Sequence, residues 1–76
     1  MVLKLNLNRL KAERIAKDLT QEQLASKIKK KRSWYAKREN GFVDIGADEL
    51  ALIAGALDIS NIDIFFTKTV PEKQRH

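Results

Sequence analysis

Apolar positions recur at helical spacing through most of the chain, separated by short polar stretches. Leu24, Ala25 and Ile28 form one such face, and Leu50, Ile53, Ala54 and Leu57 another at spacing i, i+3, i+4, i+7. This pattern predicts four helices, over residues of about 8–17, 20–28, 32–40 and 47–57. A further helical turn is predicted within residues 58–63, capped by Ser60.

Local stop and start signals support these boundaries. Thr20 and Gln23 have the spacing of a capping box, and Asn6 or Asn8 can cap the first helix. Asp18 suits the left-handed turn after the first helix, and Gly41 ends the third. Only about three residues, 29–31, separate the second and third helices, which predicts a steep helix-turn-helix crossing.

The two ends of the predicted domain have β character. Leu3, Leu5 and Leu7 alternate with polar residues, and residues 64–70 are rich in β-forming side chains. Pairing of these segments as a ribbon is one possibility, and two unpaired frayed ends are the other. The expected fold is therefore all-α and compact, with four to five helices over residues 1–70 and a flexible tail at 71–76.

Charge is distributed unevenly. The formal net charge is +5, and seven basic residues without any acid lie between positions 27 and 38 (Lys27, Lys29, Lys30, Lys31, Arg32, Lys37, Arg38). Residues 39–63 hold six acids (Glu39, Asp44, Asp48, Glu49, Asp58, Asp63) and no Lys or Arg. A basic stripe beside an acidic half is typical of a polyanion binder, although a solvated helix face gives the same pattern.

Other functional classes find little support in the composition. Cysteine is absent, and the single histidine is His76 at the end of the chain. The sequence has no Gly-rich phosphate loop and no cluster of metal ligands. We therefore do not expect an enzyme, and we expect no cofactor, metal or small-molecule ligand. No apolar run approaches the roughly 18 residues that span a bilayer, so a cytoplasmic protein is expected.

Three segments together carry a resemblance to a known family. They are Leu19-Thr-Gln-Glu-Gln-Leu-Ala-Ser-Lys-Ile, Arg38-Glu-Asn-Gly and Leu50-Ala-Leu-Ile-Ala-Gly-Ala-Leu. In this combination they resemble the Cro/repressor (XRE-like) helix-turn-helix family, with an ungapped match over residues 8–66. The resemblance implies a lambda-repressor-like fold and a transcriptional regulator of phage or mobile-element origin.

The family's residue roles transfer where the residues match. The resemblance implies that Thr20, Gln21 and Asn40 contact the DNA backbone, Gln21 alternatively bracing a base-reading side chain. It also implies a partly buried ion pair between Arg14 and Glu39, which ties the first helix to the third.

Three departures from the family pattern affect these expectations. Lysines 29–31 replace a small residue or glycine, an apolar anchor and a serine cap in the turn. Glu13 stands where leucine is common, and Ile45 stands where proline often begins the loop. We expect Lys29, Lys30 and Lys31 to attract phosphates.

Helical geometry selects the side chains that face DNA. A rotation of about 100° per residue places Tyr35 and Glu39 on the core side of the third helix, and Ser33 and Lys37 on the opposite side. Arg32, Ser33, Trp34 and Lys37 are the predicted base-reading residues. Trp34 has an equally weighted alternative, which is lateral packing on a neighbouring helix or within a dimer.

The predicted function is sequence-specific binding of double-stranded DNA at an inverted-repeat operator, as a homodimer at least on DNA. A protein-interaction module of the same fold, such as an antitoxin component, is the alternative. Residues 59–66 are the candidate dimer surface, because the large side chains of Ile62, Ile64, Phe65 and Phe66 cannot all fit inside so small a core. Pairing of residues 64–70 with residues 3–7 of the same chain would instead leave the dimer weak in solution.

Overall fold

The computed structural model describes residues 2–69, with side-chain surroundings for residues 4–67. Four α-helices follow a short strand, and a 3₁₀ helix and a second strand complete the order. The elements are β1 Val2–Leu5, α1 Leu7–Ala16, α2 Gln21–Lys27, α3 Arg32–Glu39, α4 Ala47–Ala56, a 3₁₀ helix at Ile62–Phe65, and β2 Phe66–Thr69. The predicted tail at residues 71–76 lies outside the described residues.

The predicted ribbon between the two ends is confirmed. β1 and β2 pair antiparallel, with Val2 opposite Thr69 and Leu5 opposite Phe66. The first strand ends two residues earlier than the leucine alternation suggested, because Asn6 caps α1 and Leu7 is already helical. The Asn6 amide also donates to the carbonyl of Phe65 at 2.6 Å, so the ribbon leads directly into the helical body.

Helix termini follow the local signals closely. The Thr20–Gln23 capping box forms, with the Gln23 amide donating to Thr20 Oγ1 at 3.0 Å and the Thr20 amide donating to Gln23 Oε1 at 2.9 Å. Asp18 has a φ of 60°, as expected for the turn after α1. Gly41 has a φ of +85° immediately after α3, a conformation in which a side chain would be strained.

The helices enclose a single apolar core. Its fully buried large side chains include Tyr35, Phe65, Leu10, Leu24, Ile53 and Leu57. The predicted inner faces of α2 and α4 are therefore confirmed, and so is the assignment of Tyr35 to the core. Ile28 is only partly buried and packs against this cluster.

One expectation for residues 58–66 is wrong. Ser60 does not cap the last helical turn; Asn61 does, accepting from the Asp63 amide at 3.1 Å. Phe65 is fully buried, and Ile64 and Phe66 pack against the core. The 3₁₀ helix turns Phe65 inward, but the core does not take in all four large side chains of this segment. Ile62, 37% exposed, is the most accessible of its large apolar side chains.

Candidate nucleic-acid interface

The support for α3 begins with an ion pair inside the domain. Arg14 Nε donates to Glu39 Oε2 at 2.9 Å and Arg14 Nη2 to Glu39 Oε1 at 3.1 Å, in a two-bond arrangement. The side chains are 10% and 1% exposed. The structure thus joins α1 to the end of α3 through the two residues that the family resemblance indicates.

Neighbouring polar groups complete this buried pair. Arg14 Nη1 donates to the carbonyl oxygen of Leu19 at 2.7 Å, and Gln21 Nε2 donates to Glu39 Oε1 at 3.1 Å. Gln21, at the start of α2, therefore supports the C-terminal end of α3. Every nitrogen of the Arg14 guanidinium has a partner, as a buried charge requires.

The pKa values in this cluster reflect competing effects. Burial opposes the ionisation of Glu39, but the hydrogen bonds from its neighbours, Arg14 above all, outweigh it and hold the Glu39 pKa below its usual value. The hydrogen bond to Glu39 likewise raises the pKa of Arg14. Tyr35 lies beside them with a buried hydroxyl that has no hydrogen-bond partner among the described residues, and burial raises its pKa far above the ordinary range.

The opposite face of α3 is open to solvent. Arg32, Ser33 and Lys37 are exposed, whereas Ala36 between them is half-buried. Their exposure follows from the helical period, because Tyr35 and Glu39 occupy the inner side of the same helix. Three of the four predicted base-reading side chains are thus free to meet a partner along one edge of the domain.

Trp34, the fourth predicted base-reading residue, has a different environment. Its side chain is half-buried and packs against the core cluster. The Cζ atom of Arg38 lies 3.9 Å from the centroid of a Trp34 ring, and Lys30 Nζ lies 5.2 Å from it. Lateral packing, the alternative from the sequence, is therefore present, and contact of the indole edge with DNA stays a prediction.

The turn between α2 and α3 presents its three lysines to solvent. Lys29 has a φ of 58°, the left-handed conformation that explains why a small residue or glycine suits this position. Lys31 is the N-cap of α3 and makes no side-chain capping hydrogen bond. The lysine turn thus lacks the local stabilisation of a serine cap but concentrates positive charge at the N-terminal end of α3.

These elements surround an open depression of about 450 Å³. It is lined by the three turn lysines with Ser33, Trp34, Lys37, Arg38 and Val43, and none of these lining residues is acidic. A surface with this density of cationic side chains attracts a phosphate backbone. Thr20 and Asn40, predicted backbone contacts, are exposed at the N-terminus of α2 and the C-terminus of α3.

One part of the site has no counterpart in the sequence predictions. Arg38 Nε and Nη2 donate to the two carboxylate oxygens of Glu49, each at 3.1 Å, and Arg38 Nη1 donates to the Trp34 carbonyl at 3.0 Å. Arg38 first, then the Gly46 amide and the nearby Lys30 charge, hold the Glu49 pKa below its usual value. The i, i+4 spacing of Trp34 and Arg38 was a usable signal, but the contact with α4 was not visible locally.

The loop after α3 carries two exposed apolar side chains that the sequence predictions do not include. Phe42 is 80% exposed, more than any other large apolar side chain within residues 4–67, and Val43 beside it is 37% exposed. The amides of both residues donate to the carbonyl oxygen of Lys37, at 2.8 and 3.1 Å. The loop is therefore anchored to the last turn of α3, on the rim of the basic depression.

A comparison with protein-family models agrees with this architecture. Residues 10–63 match the helix-turn-helix family model, so the chain belongs to the helix-turn-helix family of Cro/XRE-like proteins. It is a DNA-binding helix-turn-helix regulator, and the family is one of regulatory domains, not of enzymes. Searches of curated proteins and of solved structures found no match.

The match covers α2, the lysine turn and α3 together with the core helix α4. None of the helices within residues 2–69 has the length and apolar character needed to cross a lipid bilayer.

Proposed function

We propose that this protein is a sequence-specific transcriptional regulator that inserts α3 into the major groove of an inverted-repeat operator. The observation that carries the proposal is the exposed edge formed by Arg32, Ser33 and Lys37 on a helix whose other side is fixed by the buried Arg14–Glu39 pair. A helix of this width fits the major groove, and rigid support keeps its side chains in register with the bases.

The roles of the side chains follow from their chemistry. Arg32 and Lys37 can donate to guanine O6 and N7, and Ser33 can serve either as donor or as acceptor. Trp34 can offer its exposed edge to a thymine methyl or to a sugar. Phosphate contacts come from Lys29, Lys30 and Lys31 in the turn. Thr20, Gln21 and Asn40, on either side of that turn, also contact the DNA backbone.

Dimeric binding belongs to the same proposal. A single recognition helix reads too few base pairs to select one site among roughly 10⁶ or more competitors. Residues 59–66 supply less of a dimer surface than expected, since Phe65 lies in the protomer's own core. The within-chain ribbon supports the case in which the dimer is weak until it assembles on DNA. A cytoplasmic location and a phage or mobile-element origin stay predictions.

In-vitro selection of bound duplexes from a random pool tests the proposal. The expected result is enrichment of a motif with two inverted half-sites. The Arg32→Ala/Lys37→Ala double variant should lose that enrichment, whereas the matched control Lys11→Ala/Lys17→Ala, which removes the same charge from exposed positions on and after α1, should retain it. Absence of enrichment with the wild-type protein would contradict sequence-specific reading and favour a protein-interaction module of the same fold.

A further inference from the structure

A relay of contacts connects the start of α4 with the lysine turn. It begins at Glu49, whose Oε1 accepts from the Gly46 amide at 3.0 Å and so closes the first turn of α4. The same carboxylate receives two hydrogen bonds from Arg38. Glu49 thus fixes the plane of the Arg38 guanidinium against α4, as two parallel bonds do and a single contact does not.

Arg38 in turn holds the indole of Trp34. Its Cζ atom lies 3.9 Å from the ring centroid, which is close enough for a cation–π interaction. Arg38 is only 14% exposed, and each of its three nitrogens already donates to a group within the chain. A side chain engaged in this way is poorly placed to contact DNA itself, although it carries a charge on the basic edge.

The last member of the relay is Lys30. Its ammonium lies 5.2 Å from the Trp34 ring centroid, also within cation–π range. Lys30 is the middle residue of a turn that has a left-handed Lys29 and no side-chain cap at Lys31. The indole is therefore a side-chain contact that restrains a long, flexible lysine next to the DNA-facing depression.

We propose that Arg38 and Glu49 are positioning residues of the DNA interface. They hold Trp34, and Trp34 holds Lys30 in place for a DNA phosphate. The inference rests on the proposed function, since it assigns Lys30 to DNA. Its physical basis is that restraining Lys30 before binding reduces the side-chain entropy lost when the phosphate contact forms.

Glu49→Gln is the informative substitution, with Asp48→Asn as its matched control. Both raise the net charge by one, which by itself strengthens attraction to DNA. Asp48 is exposed, is adjacent to Glu49 in the same helical turn, and makes none of the ion pairs described for residues 4–67. Asp48→Asn should therefore bind a labelled duplex as tightly as the wild type or more tightly.

Glu49→Gln should bind more weakly than Asp48→Asn despite its equal charge. Loss of one ordered phosphate contact would lower affinity by up to about tenfold at 0.1 M salt, and would reduce the slope of log affinity against log salt by about 0.9. Emission from Trp34, the single tryptophan, should shift in free Glu49→Gln but not in free Asp48→Asn. Arg38→Lys, which keeps the charge but not the two-bond geometry, should behave like Glu49→Gln.

A double-substitution cycle separates positioning from general destabilisation. In a Lys30→Ala background, Glu49→Gln should produce no further loss of affinity or slope, because the contact that it supports is already absent. An equal loss in both backgrounds, with circular dichroism showing folded protein, would overturn the relay. If the wild type binds duplex but Glu49→Gln matches Asp48→Asn, positioning is wrong and DNA binding stands. If the wild type fails to bind any duplex, the proposed function falls and this inference falls with it.

Discussion

At the scale of single residues, the Arg14–Glu39 pair connects folding to function. Both side chains are nearly buried, and their mutual hydrogen bonds compensate the loss of hydration. Glu39 is also the last residue of α3. The pair therefore fixes the orientation in which α3 presents its exposed side.

Removing either partner should destabilise the fold strongly. In Arg14→Ala and in Glu39→Ala the remaining charge stays buried without its partner, and we expect a loss on the order of 3–5 kcal/mol in the free energy of unfolding. Thermal and urea melts measure it, with Lys11→Ala as an exposed control on the same helix. A loss no larger than that of Lys11→Ala would show that the pair is not a structural tie.

Acid should weaken the fold through Glu39. Its pKa in the folded chain lies below that in the unfolded chain, so its stabilising effect is fully present above the unfolded value of about 4.3. That effect is lost as the pH falls through the folded-state pKa. Melting temperatures from pH 7 to pH 2 should therefore converge for the wild type and Glu39→Gln, with the wild type higher at neutral pH. Parallel curves would mean that another group is responsible.

At the scale of elements, the turn between α2 and α3 carries three lysine charges at positions where other residues would stabilise it better. Lys29 occupies a left-handed conformation that usually suits glycine, and Lys31 is the N-cap of α3 without a side-chain capping hydrogen bond. The turn is instead held by backbone hydrogen bonds to the end of α2, including the Lys30 amide to the Ala25 carbonyl at 2.9 Å.

Lys31→Ser should therefore stabilise the protein. A serine at this position can accept from an amide in the first turn of α3, which is typically worth about 1 kcal/mol. Lys31→Ala is the control, because it removes the same charge without supplying a cap. Urea denaturation should rank Ser above Ala in the free energy of unfolding. Equal stability of the two variants would show that the cap cannot form in this turn.

The two groups of basic residues should differ in their effect on DNA binding. Lys30→Ala should weaken operator and random duplex alike and reduce the salt slope by about 0.9. Arg32→Ala or Lys37→Ala should instead reduce the preference for operator over random DNA, by roughly 1–3 kcal/mol for a lost two-bond base contact. Titrations of both duplexes over a salt series measure the two quantities. Base reading by Lys37 would be wrong if its loss lowered both affinities equally.

At the scale of the whole molecule, the closed ribbon decides which surfaces remain for assembly. β2 pairs with β1 of the same chain, and Phe65 enters the core with Ile64 and Phe66 packed against it, so the end of the segment 59–66 is used within the protomer. The exposed large apolar side chains are instead dispersed over α1, the loop after α3, α4 and the 3₁₀ helix: Ile15, Phe42, Val43, Leu52 and Ile62. This dispersion favours a weak free dimer.

Assembly on a palindromic operator should nevertheless be two chains to one duplex. Two recognition helices separated by one DNA turn, roughly 34 Å, can read both half-sites at once. Sedimentation velocity, with and without the selected duplex, should give mainly monomer for the free protein and a 2:1 complex at saturation. Saturation at one chain per duplex would rule out the dimeric-operator model, whatever the free protein does.

The sequence by itself determined the features that depend on neighbouring residues. The capping box at Thr20, the left-handed Asp18, the Gly41 terminus and the apolar faces of α2 and α4 all involve groups within a few positions of one another. Such local preferences act before any long-range contact forms, and a linear pattern records them. The family resemblance extends this to the class of protein, which the family model confirms, and to the Arg14–Glu39 pairing, which the structure contains.

Only the tertiary structure decided what depends on distant residues meeting. The Arg38–Glu49 contact spans 11 positions and two helices, and no local rule selects Glu49 over Asp48 as the partner. The burial of Phe65 depends on where the 3₁₀ helix meets α1 and α4. Packing selects among locally equivalent side chains by their shape and by the hydrogen bonds that it offers to buried polar groups, and that selection exists only once the helices are assembled.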